Sequence, residues 1–443
     1  MSIANPSRRR EVWALSLPII GGMTSQNILN LVDMAMVGQL GSSALAGVGL
    51  ASFINFMAMA LVTGLSAGVQ AIAARRIGEG RPEEAAVPLN GGLILAVLIG
   101  LPISLTLIAI APWLFAQLNP DPAVAAEGVP YLQMRLLSVF ALGMNFCFRG
   151  YWSAVKLTQL YMMNLLWMHS LNIALNYCLI FGKLGLPAMG TQGAGLGTTI
   201  SLFIGTATYF WLASRHAGGS GFLQRRPTRE EFMSLARLGL PNALQQLLFA
   251  AGFVVLFWIV GQIGTPQLAI ANVLVNITLV TVLPGMGFGL AAATLCAQAL
   301  GRQQVEDARR WAWDVFRQAV LLLAPLAALM LLLPGPILAM FVKEPELIEL
   351  GRLPLQLVGA TVLADALGLI LMNALLGVGA AALVMKIAVG LQWGLFLPLA
   401  WLLGPKLGLG LNAVWLAMLG YRGLQTGLFV HYWRRGGWAT IKV

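Results

Sequence analysis

Long apolar runs separated by short polar breaks set the pattern of this chain. Residues 34–74, 85–120, 184–214 and 238–301 contain no Asp, Glu, Lys or Arg. Each exceeds the ~20 residues an α-helix needs to cross a bilayer, and the last is long enough to cross at least twice. Charges and turn residues divide the chain into twelve expected spans: 12–38, 44–74, 87–117, 128–153, 160–182, 192–214, 236–262, 267–299, 313–341, 349–378, 382–403 and 408–431. The longest interruption is 215–235, where Gly218, Gly219, Ser220 and Gly221 precede Arg225, Arg226, Arg229, Glu230 and Glu231. Such a run reads as a polar linker, and it lies near the midpoint of the chain.

The midpoint matters because the chain repeats itself. Adding 223 carries Pro18 onto Pro241, and Val37-Gly-Gln-Leu-Gly41 onto Val260-Gly-Gln-Ile-Gly264. Leu45-Ala46 meets Leu268-Ala269, Gly64 meets Gly287, Gly78 meets Gly301 and Met162 meets Met385. One ungapped offset over such a length is more than shared apolar composition produces. The expectation is an all-α integral membrane protein with 12 transmembrane helices in two six-helix bundles. Its domains are an N-terminal lobe 1–214, a linker 215–235 and a C-terminal lobe 236–443. An even number of helices per half gives both repeats the same orientation, related by a pseudo-twofold axis along the membrane normal.

Composition agrees. The chain is 58% apolar and 10% charged, where a soluble domain carries about 25% charged residues. A water-facing surface cannot be built from so few charges. The net charge of +11 would suggest nucleic acid in a soluble chain, but here it sorts by loop. With the N-terminus inside, 20 of the 27 Lys and Arg fall in cytoplasmic segments, from Arg8, Arg9 and Arg10 to Arg434, Arg435 and Lys442. Positive residues accumulate on that side of membrane proteins. Both termini are therefore expected in the cytoplasm, with the protein multi-pass in a bacterial inner membrane. Arg8–Arg10 also resemble the start of a signal peptide, but the apolar run continues to residue 38 and contains Asp33, so it reads as the first span. Cys147, Cys178 and Cys296 fall inside apolar stretches and read as small core residues.

Of sixteen acidic residues only Asp33 and Asp365 fall well inside spans. A charge at mid-bilayer is disfavoured by roughly 2.5–3.5 kcal/mol, so such residues usually face a cavity and carry function. Neither is demanded by the repeated scaffold, because Asp33 corresponds to Leu256 and Asp365 to Leu142. Gln26, Asn30 and Asp33 share one helical face by their spacing of four and three. Asn172 and Asn176 lie one turn apart on the fifth span, and Thr198 and Thr199 open the sixth. A carboxylate, carboxamides and a hydroxyl suit a proton on Asp33 or the oxygen shell of a small hard cation. The plainer role for these groups is interhelical hydrogen-bond glue.

Other signals are weaker. Gly285-Met-Gly-Phe-Gly289 lies within a span and is followed by no Lys, so it is not a phosphate loop. His169 stands alone on an apolar span and reads as a hydrogen-bonded core residue. Trp13, Trp113, Trp311, Trp313, Trp433 and Trp438 sit near helix ends, as interfacial anchors do. Arg149 is expected to snorkel or to meet a carbonyl. With no Ser/His/Asp set, Cys/His cluster or H-E-x-x-H motif, enzyme chemistry has no support, and no cofactor is implied.

Leu17-Pro18, Asn30-Leu-Val-Asp33-Met-Ala-Met-Val-Gly38 and Ala44-Leu-Ala46 resemble the first helix and loop of the MATE (multidrug and toxic compound extrusion) family. Leu171-Asn-Ile-Ala-Leu-Asn176, Gly182 and Gly193-Ala-Gly-Leu-Gly-Thr198 resemble its fifth and sixth helices. The resemblance covers the whole chain. It implies an efflux antiporter: a proton or Na+ moves inward as an organic, usually cationic, compound moves out, through a V-shaped pair of lobes with a central cleft. Asp33, Gln26, Asn172, Asn176 and Thr198 match the family's N-lobe polar cluster, with Asp33, Asn172 and Asn176 as Na+ ligands if sodium drives transport. Asp365 matches an acidic residue in the tenth helix of the NorM-like branch. That branch usually carries Glu in helix seven where this chain has Phe249, a departure shared with the DinF-like branch. Asp33, Asp365, Phe249 and Phe253 are the candidate substrate contacts, with Phe257 and Met residues adding adaptable apolar surface. Membrane lipids and small organic cations are the expected partners, with no nucleic acid and no obligate protein partner. The alternative is a flippase for a lipid-linked or amphipathic substrate, which would need cationic residues in the cleft, and only Arg149 and Arg422 are candidates. A channel would need a continuous polar pore, and one isolated acid per lobe argues against it.

The charge bias makes the topology testable. A cysteine placed in 215–231 should resist an impermeant thiol reagent in intact cells, and one placed near Asp121 should react. The opposite labelling pattern overturns the orientation.

Overall fold

The computed structural model describes residues 6–441, so Lys442 lies outside the described residues. Among these the regular structure is helical throughout. Twelve helical segments succeed one another in the two-times-six order of the repeat. They are α1 (Pro6–Gly38), α2 (Ser42–Gly78), α3 (Val87–Leu118), α4 (Pro122–Leu136 with Val139–Ala154), α5 (Thr158–Phe181) and α6 (Gly190–His216). The second set is α7 (Arg229–Ile263), α8 (Thr265–Gly301), α9 (Val305–Leu332), α10 (Pro345–Gly377), α11 (Ala381–Lys406) and α12 (Gly410–Arg435). Two departures from uniform spans stand out. α4 bends by 49° at its break, and α11 passes through π-helical turns at Gln392–Phe396 and Leu402–Lys406.

Among the described residues, eight of these helices are long and apolar enough to cross a membrane, and nine with the bent α4 pair. The remaining three, α1, α5 and α12, have 33, 24 and 26 residues, ample for a crossing of about 20 residues. They miss on apolarity, because α1 and α5 carry Gln26, Asn30, Asp33, Asn172 and Asn176, and α12 carries Arg422. Two of these three, α1 and α5, hold the candidate polar cluster around Asp33.

The chain folds into two compact units. One comprises Gly21–Ile77 and Arg81–Gln246; the other comprises Met1–Ile20, Gly78–Gly80 and Leu247–Val443. Helices α1 and α7, counterparts in the repeat, therefore each change unit partway along their length. The glycines of α2 and α8 explain how. A Cβ on Gly64 would strike the backbone of Ala243, with the Ala243 Cα at 2.5 Å, and one on Gly287 would strike the side chain of Ile20. Ile20 plus 223 is Ala243, and Gly64 plus 223 is Gly287. The same contact is thus made twice, each time inside one unit, by a helix of one repeat on the first helix of the other. Small residues permit such backbone approach where lipid supplies no hydrophobic drive.

The starts of the exchanged helices are pinned by ion pairs of opposite polarity. In one unit Arg8 binds Asp307 at 2.5 Å and Asp314 at 2.8 Å and lies 3.6 Å from the Trp311 ring centre. In the other, Glu231, the counterpart of Arg8 by the 223 offset, binds Arg76 at 2.5 Å. The linker is not loose: Asn90 donates to the carbonyls of Gly221 and Arg225 and accepts from the Leu223 N–H. Of the tryptophans expected as interfacial anchors, Trp113 is exposed, whereas Trp311, Trp433 and Trp438 are buried in protein.

The two glycine contacts differ in what a methyl group would meet. Gly64→Ala meets backbone that cannot move aside, and should destabilise the protein by about 1–3 kcal/mol, whereas Gly287→Ala meets a side chain able to give way and should be milder. Thermal unfolding in detergent, read as monodisperse protein surviving heating, checks the order. Equal effects would mean that the helices separate with the same ease at both crossings.

Candidate functional site

Asp33 lies on the second half of α1, within the unit Gly21–Ile77 and Arg81–Gln246, and is half-buried. Its Oδ1 accepts a 2.8 Å hydrogen bond from Asn176 Nδ2. The same amide donates to Asn172 Oδ1 at 2.9 Å, and Asn172 Nδ2 donates to Ser201 Oγ at 3.2 Å. Ser201 in turn donates to the Thr198 carbonyl at 2.8 Å. A polar chain thus runs from α1 through α5 to α6. Asn172 and Asn176 are 1% and 0% exposed, so the carboxylate is held by a donor, Asn176, that water does not reach.

The glycines of α6 make this burial possible. Cβ atoms on Gly193 and Gly197 would strike the Leu179 carbonyl oxygen and Asn176 Oδ1 respectively. Small residues four apart let α6 lie directly on α5. Asn176 Oδ1 is left without a hydrogen-bond partner, pressed toward Gly197. Its two donor hydrogens are committed while its acceptor is free.

A second polar group sits two turns away. His169 Nε2 meets Gln26 Oε1 at 3.0 Å, His169 Nδ1 meets Ser25 Oγ at 2.9 Å, and Gln26 Nε2 donates to Asn30 Oδ1 at 3.2 Å. Gln26 therefore bonds both Asn30 and His169, and among the described residues neither Gln26 nor Asn30 bonds directly to Asp33. The Thr198 hydroxyl is engaged by its own helix at the Ala194 carbonyl, 3.0 Å away; Ser201 provides the hydroxyl that joins the chain. His169, Ser201 and Arg135, whose charge acts on Asp33, were missed by sequence reasoning. The signal for His169 was present, since His169, Asn172 and Asn176 share a helical face at intervals of three and four.

In the other unit Phe249 and Phe253 pack edge to face at 5.0 Å. With Gln392, Tyr421 and Arg422 they line a cavity of about 10 Å³, the room of a single water. Gln392 donates to the Phe249 carbonyl at 3.3 Å. Asp365 Oδ1 is buried without a hydrogen-bond partner, and Arg422 is its electrostatic counterpart. Arg149, expected to snorkel or to meet a carbonyl, donates to the Ser66 hydroxyl at 3.3 Å and lies over the Phe146 ring.

The repeat offset links the two halves. Gln26 and His169 become Phe249 and Gln392, and both pairs touch, each across a separation of 143 residues. Asp33, Asn172, Asn176 and Thr198 become Leu256, Leu395, Leu399 and Tyr421. The first and fifth helices of each repeat therefore meet in the same register, with the polar chain built in only one of them.

An all-helical membrane protein with duplicated halves and an acid–amide chain inside one of them has the organisation of a transporter built from parallel repeats. The MatE family profile matches residues 18–178 and again 241–402. The two matches begin 223 residues apart, at Pro18 and Pro241. The chain belongs to this family of transporters, and is not an enzyme. It is 24% identical to a probable multidrug resistance protein NorM of Thermotoga maritima, over 98% of this chain and 94% of the relative. It is 29% identical to a probable NorM of Bradyrhizobium diazoefficiens, over 95% of this chain and 91% of the relative. In fold it matches a multidrug resistance MATE family transporter solved in an outward-facing conformation. The TM-score is 0.90 at 22% identity, over 98% of this chain and 97% of that one.

If Gly197 exists to seat the Asn176 carboxamide, Gly197→Ala should destabilise the protein by about 1–3 kcal/mol. Most of that effect should vanish in an Asn176→Ala background, because coupled neighbours are non-additive. A double-mutant cycle by thermal unfolding reads it; full additivity would assign Gly197 to backbone packing alone.

Proposed function

We propose that this protein is a secondary active multidrug efflux transporter that exchanges an organic, often cationic, compound for H+ or Na+, with Asp33 as the site of the coupling ion. The observation that supports this most directly is the chain from Asp33 through Asn176 and Asn172 to Ser201. It surrounds one carboxylate with neutral groups that can donate to it or, reoriented, supply oxygens to a cation. Antiport requires that ion and substrate bind differently to two conformations. Asp33 can act in this way if its Asn176 bond forms in one conformation and yields to H+ or Na+ in the other. Asn172 and Asn176 are the accompanying Na+ ligands if sodium is the ion. Gln26, Asn30 and Thr198 belong to the surrounding coupling region, where Gln26 acts through His169.

Asp33, Asp365, Phe249 and Phe253 are proposed as substrate contacts: the acids attract cationic compounds and the phenyl rings give apolar surface. The aromatic cavity beside Phe249 and Phe253 must widen to accept such a compound. The lobes 1–214 and 236–443, joined by 215–235, are proposed as the functional halves. The loop charges support a bacterial inner-membrane location with both termini cytoplasmic.

Asp33→Asn tests the assignment. Asn keeps the shape and hydrogen-bonding capacity of Asp but carries no charge and cannot titrate. The variant should express and insert normally, yet lose dye efflux from everted vesicles driven by a proton or sodium gradient. Wild-type efflux by Asp33→Asn would place the coupling site elsewhere.

A further inference from the structure

The basic end of α12 is built as a hook. Gly436 ends the helix with φ 77, a left-handed turn that suits glycine. The following turn, Gly437–Thr440, folds back so that Trp438 stacks on Trp433, with ring centres 4.4 Å apart and planes at 12°. Trp438 Nε1 also donates to the Trp433 carbonyl at 2.9 Å. Between this hook and the first turn of α11 lies a pocket of about 450 Å³, within the 300–1,000 Å³ usual for small-ligand sites. It is far larger than the cavity beside Phe249, and the transport reading makes no use of it.

The lining is amphipathic. Ala382, Leu383, Trp438 and Ile441 give it an apolar floor, and Tyr432 and Arg435 stand at its polar edge. No acidic residue lines it. The neighbouring cations are already engaged: Arg309 pairs with Glu306 at 2.8 Å and Arg434 lies over Trp313. Arg435 is exposed and makes no ion pair or hydrogen bond among the described residues. Lys386 follows Ala382 by four residues and so shares its helical face one turn further into the span. Lysines one turn inside a span reach back toward the membrane surface, so Lys386, exposed and outside the lining itself, is the candidate second positive charge for this pocket.

We propose that this pocket binds one anionic phospholipid, with its phosphate on Arg435 and Lys386 and the start of an acyl chain along Leu383, Trp438 and Ile441. A span end with a basic rim sits at headgroup level, and basic pockets between membrane helices select anionic headgroups. The apolar floor distinguishes a lipid from a free anion. The lipid is a resident ligand, and the proposal stands apart from the assignment of Asp33.

Purified full-length protein, delipidated in detergent and titrated with phosphatidylglycerol or phosphatidylcholine, tests this by native mass spectrometry. One phosphatidylglycerol should bind at concentrations where phosphatidylcholine leaves the protein free. Arg435→Gln should raise the concentration required by about fivefold, and Arg435→Gln with Lys386→Gln by about 25-fold. Leu383→Trp should fill the pocket and abolish binding with every charge in place, giving a second readout if the charge variants fold poorly. Millimolar inorganic phosphate should not compete. Equal binding of the two lipids, unchanged affinity in the folded variants, or displacement by phosphate would each overturn the proposal.

Discussion

Backbone approach at glycine is the constraint on which the rest of this protein depends. Between helices surrounded by lipid there is no water to expel, so association rests on van der Waals contact and on polar groups that find one another. Gly64 lets α2 touch α7, Gly287 lets α8 touch α1, and Gly193 and Gly197 let α6 lie on α5. The first two contacts carry α1 and α7 from one compact unit into the other. The last two seal Asn176 from solvent. A larger side chain at any of them would open space beside polar groups that have no other partners in the membrane.

Within that frame the duplicated halves share geometry and divide chemistry. The first and fifth helices of both repeats touch 143 residues apart, at Gln26 with His169 and at Phe249 with Gln392. Two turns further along, the first repeat has Asp33 on Asn176, where the second has Leu256 and Leu399. Tyr421, the counterpart of Thr198, stacks on Phe396 at 4.8 Å. Where one repeat builds a polar chain, the other fills the same place with leucine and aromatic rings. The contact between first and fifth helices belongs to the shared scaffold; the acid and its amides are an addition to one copy.

Much of this was legible in the sequence because the governing signals are local or periodic. Charge-free runs mark the spans, and a single offset of 223 exposes the repeat. The spacing of Asn172 and Asn176 places both on one face of α5, where Asn176 meets Asp33 and Asn172 meets Asn176. What escaped depends on partners distant in the chain. Arg135 acts on Asp33 and Arg422 acts on Asp365 from other helices, and no spacing rule connects them. Ser201 was invisible because Thr198 and Thr199 looked like the natural hydroxyls, and only the turn of α6 decides which one faces Asn172. The exchange of α1 and α7 between units could not be read either, since a continuous helix carries no mark of where its neighbours change.

The character of each acid's partner separates the two candidate sites. Asp365 has Arg422 as its electrostatic counterpart, a guanidinium that stays protonated at any physiological pH. Asp33 is bonded instead by the amide of Asn176, which donates hydrogen bonds and brings no net charge. The amide stabilises the carboxylate without neutralising it, so a proton or sodium ion is still attracted by the charge when it arrives. It can also turn its free oxygen toward such an ion, an oxygen that has no hydrogen-bond partner to give up. The buried amide of Asn176 beside Asp33, with an oxygen free to turn, is the physical ground for assigning exchange to Asp33.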